Sequence, residues 1–340
     1  MALIFLLRLL VTIAVVAGIA GCSGSSSLAQ QDVRAAYREE TGPLDIITVK
    51  RTEMTFPALD KSLQMRLAFP AVDGPYPVIV LSHGNGCSQD LYAGIADHWA
   101  SWGYVVIQPV HMDSRDLGFT MKGKTLEDMN LMVSSRRADV RFILDSFAEL
   151  EQQVPGLTGK IDSERLIAAG HSMGGGTAMV LTGVQMLDPR DQSLMTSDEN
   201  RFDALILISE PSNNRMMPEE PWRLANVPTF VATGSKDFSM VGARDGKKSK
   251  SAWQLPAAAE RPDEPRWYLD VNEADHYLGG VICKSTAPGP ADYDALKIYN
   301  GASTAFLDAY IRDDPAAQAF LGSGELQSLT DGRATLENRQ

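Results

Sequence analysis

Residues 166–176 read Leu-Ile-Ala-Ala-Gly-His-Ser-Met-Gly-Gly-Gly, and 177–181 continue as Thr-Ala-Met-Val-Leu. The apolar run 166–169 is a buried strand by composition, and the residues from Gly174 to Gly183 can form a helix. Between them lies Gly170-His171-Ser172-Met173-Gly174, a G-x-S-x-G turn. A strand that reverses this sharply into a helix lifts the Ser172 hydroxyl clear of the backbone. It leaves no room for a Cβ two residues to either side, so glycine is required at both places. A serine at that helix N-terminus also gains from the dipole when its oxygen turns anionic.

Outward from this turn, strand and helix patterns alternate. Strands are predicted at 46–49, 63–69, 77–82, 104–108, 204–208, 229–233 and 267–271. Helices are predicted around Ile95, Trp99 and Trp102, stopped by Gly103, then over 125–152 and 292–312. Thr125 with Asp128 supplies a cap and an acidic first turn for the long helix. Strands alternating with helices imply an α/β fold, a mostly parallel central sheet with helices on both faces. Irregular stretches at 185–202, 209–227 and 238–265 belong near the carboxyl ends of the strands, where ligands bind.

A serine hydroxyl needs a positioned base to take its proton. In folds with this turn the order along the chain is Ser, then Asp or Glu, then His. Of the five histidines only His276 follows Ser172, and it lies just past the strand 267–271. Strand 229–233 runs into Gly234-Ser235-Lys236-Asp237, which makes Asp237 the expected acid, with Glu210 as the rival one strand earlier. Backbone N–H donors for a developing oxyanion are expected from Met173 and from the loop His83-Gly84-Asn85-Gly86-Cys87, with Asn85 first and Gly86 next. His83 and His171 are expected to pack beneath these loops rather than carry protons. Met173, Met216, Met217, Trp222, Phe238 and Trp253 are candidates for the substrate pocket, or else ordinary core residues. No His pair has ligand spacing, and Asp113 with Asp116 is too little to identify a metal site.

The loop 83–86, the segment 97–108 (DHWASWGYVVIQ) and the turn 170–175 together resemble the dienelactone-hydrolase-like branch of the α/β-hydrolases. That branch includes platelet-activating-factor acetylhydrolases, chlorophyllases and cutinase-type polyesterases, and the likeness covers roughly residues 45–312. It implies carboxylic-ester hydrolysis with no cofactor and no metal, with Ser172 standing where dienelactone hydrolase itself has cysteine. A small-molecule or lipid-like ester is the expected substrate. A peptidase, thioesterase or acyltransferase would use the same triad, and a non-catalytic surface binding lipoprotein is the reading from a different class.

The net charge of −12, spread along the chain without a basic patch, argues against nucleic acid as a partner. Residues 1–22 form an apolar run broken by Arg8 and ending in Ile19-Ala20-Gly21-Cys22, which resembles a lipoprotein signal with Cys22 as the lipidated residue. Residues 23–42 are then a flexible tether, and 43–340 a single domain. Export follows, to the bacterial envelope with the lipid as membrane anchor, or to the periplasm or the outside of the cell if the run is an ordinary signal peptide. A plain transmembrane anchor is the third option. Export would leave Cys87 and Cys283 as the remaining thiols in an oxidising compartment. They are either one disulfide, linking the oxyanion loop to the base loop, or two separate buried thiols.

Overall fold

A computed structural model of the chain describes residues 33–56, 61–188, 191–195, 197, 199–209, 216–218, 221–237, 264–283 and 289–339. Strands β1 (Ile46–Phe56) and β2 (Lys61–Pro70) form a hairpin. They are followed by β3 (Tyr76–Ser82), helix α1 (Ala93–Ser101) and β4 (Val105–Pro109). Helices α2 (Leu126–Asp145) and α3 (Phe147–Gln153) precede β5 (Ile161–His171) and α4 (Met173–Leu181). A small hairpin, β6 (Met186–Leu187) with β7 (Leu194–Met195), stands apart from the main sheet. The chain then forms β8 (Ala204–Ile208), β9 (Thr229–Gly234), β10 (Arg266–Val271), α5 (Tyr293–Ile311), α6 (Pro315–Gly322), α7 (Glu325–Leu329) and β11 (Ala334–Asn338).

The main sheet has nine strands in the order β1-β2-β4-β3-β5-β8-β9-β10-β11. From β4 to β10 neighbouring strands are parallel, while β2 and β11 run antiparallel at the flanks. This is the α/β-hydrolase fold. The alternation of strand side chains divides the core in two. Ile79, Leu81, Ile167, Ala169, Ile206, Phe230 and Leu269 point to the layer that holds α1 and α5. Val78, Val80, Leu166, Ala168, Leu205, Leu207 and Val231 point to the layer that holds α2 and α4. Both faces are covered, so the central strands are rich in apolar residues.

Two expectations are corrected. The helix expected over 125–152 begins with the expected capping box, in which Asp128 N–H donates to Thr125 Oγ1 (3.2 Å) and Thr125 N–H donates to Asp128 Oδ2 (2.8 Å). It breaks at Ser146, whose N–H donates to the Ile143 carbonyl, and the break turns Leu150 and Val154 into the core. The tether expected over 23–42 does not extend through 33–42. Ala36 and Tyr37 are buried, Tyr37 lies 5.7 Å from Phe320 ring to ring, and Arg38 pairs with Asp308 at 2.9 Å. The signal peptide, Cys22 and residues 23–32 lie outside the described residues. Beyond 312, α6, α7 and β11 add elements that the sequence reading did not assign. Among the described residues no helix is long and apolar enough to cross a membrane.

Candidate active site

The loops after β3, β5, β9 and β10 all leave the same edge of the parallel sheet, since Ser82 pairs with Gly170 and Val271 with Gly234. Ser172 caps α4 with φ 53° and ψ −118°, a backbone conformation that costs a β-carbon residue energy and persists because the surroundings enforce it. Its N–H is held by the Ile208 carbonyl at 3.0 Å. A Cβ at Gly170 would collide with the Gly174 backbone, and one at Gly174 with the Ser82 carbonyl. The two glycines are therefore what lets strand, turn and helix close on β3.

Ser172 Oγ lies 3.1 Å from His276 Nε2. His276 Nδ1 lies 2.7 Å from Asp237 Oδ1, and Thr233 Oγ1 donates to Asp237 Oδ2 at 3.1 Å. A carboxylate only accepts, so His276 carries its proton on Nδ1 and leaves Nε2 free to take one from Ser172. Asp237 is fully buried and His276 nearly so. The rival acid Glu210 lies outside the described residues.

The loop after β3 is shaped from below by buried charge. Arg136 binds Asp113 through two hydrogen bonds, at 2.9 and 2.7 Å, with both side chains fully buried. Burial pushes the Asp113 carboxyl up, but the Arg136 guanidinium outweighs it and holds the pKa at about 2. The Gly84 carbonyl accepts from His83 Nδ1–H at 2.7 Å and from Cys87 N–H at 3.1 Å. A trans peptide is planar, so anchoring that carbonyl aims the Asn85 N–H the opposite way. Gly86 N–H is taken by the Asp113 carbonyl, which removes the second-choice donor. Among the described residues the N–H groups of Asn85 and Met173 make no hydrogen bond. The Asn85 side chain is held by Asp113 Oδ2 at 3.2 Å and lies 3.5 Å from Met173 Sδ, so the two candidate donor residues touch.

Both histidines expected to be structural are buried. His83 Nε2 accepts from His111 N–H at 3.1 Å. His171 lies under the base loop, with its ring 4.8 Å from that of His276. Burial, helped by His276 and Arg136 respectively, holds His171 at about pKa 3 and His83 well below the ordinary histidine range, so neither shuttles protons near neutrality. Cys87 and Cys283 are joined in a disulfide, with Cα atoms 4.8 Å apart. Arg115 spans the same junction, donating to the Gly86 carbonyl at 2.9 Å and the Cys283 carbonyl at 2.7 Å. Among the described residues the side chains grouped closely enough for a metal ion are Cys87, His171 and Cys283, and their two sulfurs are consumed by that bond.

The pocket assignments need correction. Met217 and Trp222 are core residues of the layer behind α4, and Met216 packs against the same cluster. Phe238 and Trp253 lie outside the described residues. Sequence reasoning missed Tyr92, Arg136 and Arg115. Asp113 was weighed only as a metal ligand, although its place past the end of β4 signalled a role at the functional edge.

A family model described as Chlorophyllase matches residues 33–209, just over half of the 340-residue chain. The matched stretch includes Asn85 and Ser172 and ends before Asp237 and His276. No curated protein matches the chain.

Proposed function

This chain belongs to the chlorophyllase family, ester hydrolases of the α/β-hydrolase type, and from that premise we propose that it cleaves carboxylic esters through an acyl-enzyme on Ser172. The observation that carries the reading is the continuous chain Ser172 Oγ, His276, Asp237, with 3.1 and 2.7 Å spacings, below two N–H groups that are unengaged among the described residues. Ser172 Oγ attacks the ester carbonyl while His276 Nε2 takes its proton, and the Asn85 and Met173 N–H groups receive the oxyanion. The intermediate collapses by breaking the bond to the alcohol oxygen, which leaves with the proton from His276. Water then attacks the acyl-enzyme, with His276 again as base, and releases the acid. Asp237 keeps the imidazole in the working tautomer and stabilises its cation.

Ser172→Ala should abolish hydrolysis of short p-nitrophenyl esters and labelling by a fluorophosphonate; full retained activity overturns the reading. A panel of ester, thioester and amide substrates should show preference for the ester. We further propose export and lipid anchoring at Cys22, with a small or lipid-like ester as substrate. The residues Ile19-Ala20-Gly21-Cys22 support it, and a disulfide suits an oxidising compartment. Fatty-acid labelling of the expressed full chain should be lost in Cys22→Ser, and labelling that persists would defeat the anchor.

A further inference from the structure

Tyr92 lies outside every motif of the sequence. It begins the approach to α1 and is fully buried beneath the oxyanion loop. Its hydroxyl accepts from Gly84 N–H at 3.1 Å and lies 2.7 Å from His171 Nδ1. On the other side of the ring, His171 Nε2 lies 2.9 Å from the carbonyl of His276. A carbonyl oxygen only accepts, so Nε2 carries the proton and Nδ1 is the acceptor. The directions are then all determined: Gly84 N–H donates to Tyr92, Tyr92 O–H donates to His171, and His171 N–H donates to the His276 main chain. Three buried polar contacts thus join the oxyanion loop, the residue before the nucleophile and the base loop.

The path is tightly packed. A Cβ at Gly84 would come within 2.9 Å of both His171 Nδ1 and the Cys87 sulfur, so the loop backbone rests directly on the imidazole and the disulfide. His171 stays neutral, because burial and the neighbouring His276 hold its pKa at about 3, and the tautomer persists through the working pH range. The disulfide and Arg115 join the same two loops farther along, at Cys87–Cys283 and Gly86–Cys283. They hold the loops together, but the hydrogen bonds of the Gly84 amide and the His276 carbonyl go to Tyr92 and His171.

We propose that Tyr92 and His171 are positioning residues, which set the Asn85 N–H and the His276 imidazole in register with each other without touching substrate. The proposal rests on the assignment of Ser172 and His276 as nucleophile and base. Deleting an oxyanion donor costs about 10²–10³ in rate, and displacement by about 1 Å can cost about 10²-fold. A donor retained but loosened should cost less.

The test is kinetics on the full chain, with each variant's active sites titrated by fluorophosphonate so that misfolded protein does not count. Tyr92→Phe keeps the ring and deletes the hydroxyl. It should lower kcat per titrated site by about ten- to fiftyfold with KM within about twofold. His171→Phe should match it. His171→Gln, whose amide can donate at one end and accept at the other, should recover most of the rate. A merely structural role would lower the melting temperature and the titratable fraction while leaving kcat per site unchanged. Tyr92→Phe with kcat per site within twofold of the parent overturns the proposal, as does His171→Gln performing no better than His171→Phe. If the His171 variants fail to fold, Tyr92→Phe decides alone. Ser172→Ala serves as the separate control: its retained activity would refute the nucleophile assignment itself.

Discussion

Asp237 shows how much one residue depends on its strand. It is an ordinary turn aspartate by sequence, yet the end of β9 buries it completely and gives its two oxygens separate tasks, one on His276 and one on Thr233. Asp237→Asn keeps the shape but can present an N–H to His276 Nδ1, which favours the wrong tautomer. The expected result is a fall in kcat of about 10⁴-fold with nearly unchanged KM, measured on short p-nitrophenyl esters. A loss below tenfold would move the acid to another residue, with Glu210 the first to examine. Ser172, Asp237 and His276 were legible as a candidate triad because the order along the chain is strict and His276 is the lone histidine after the serine. Tyr92 was not legible, because no spacing rule connects a residue at the start of α1 with a carbonyl 184 positions later.

Among the elements, the parallel strands were the most readable. Strands 77–82, 204–208 and 229–233 are largely apolar because helices cover both faces, and the structure places β3, β8 and β9 there with shifts of at most one residue. The flanks were harder. β1 runs on to Phe56, well past the expected 49, because its outer half alternates Arg51, Glu53 and Thr55 with less exposed residues as a half-solvated hairpin strand. β11 reads Ala-Thr-Leu-Glu-Asn, too short and polar to stand out, and exists because β10 would otherwise be an open edge. The break between α2 and α3 escaped for a different reason. Ser146 and Phe147 continue a helical pattern well enough, and only the need to bury Leu150 against the sheet bends the chain there.

At the scale of the molecule, four of the five histidines are buried away from proton transfer, and the same burial makes stability depend on pH. Burial lowers all four: His98 to about 4, His171 to about 3, with His83 and His111 also depressed. The unfolded chain binds protons on these residues from about pH 6.5 downward while the native state does not, so stability is complete above that value and is lost as pH falls. Each depressed histidine contributes a slope of about 1.4 kcal/mol per pH unit between its unfolded and folded values. The melting temperature should be flat above pH 7 and drop between pH 6.5 and 4.5; a value constant from pH 7 to pH 5 would contradict these neutral buried imidazoles. By itself the sequence determined the order of elements, the serine turn and the candidates for its acid and base, because these follow from local periodicity, backbone sterics and a fixed order along the chain. Only the tertiary structure decided which loop amides are taken, as that of Gly86 is by Asp113, that Cys87 meets Cys283, and that Met217 and Trp222 belong to the core. Those outcomes depend on which buried groups meet across the sheet, and distant partners leave no period in the chain.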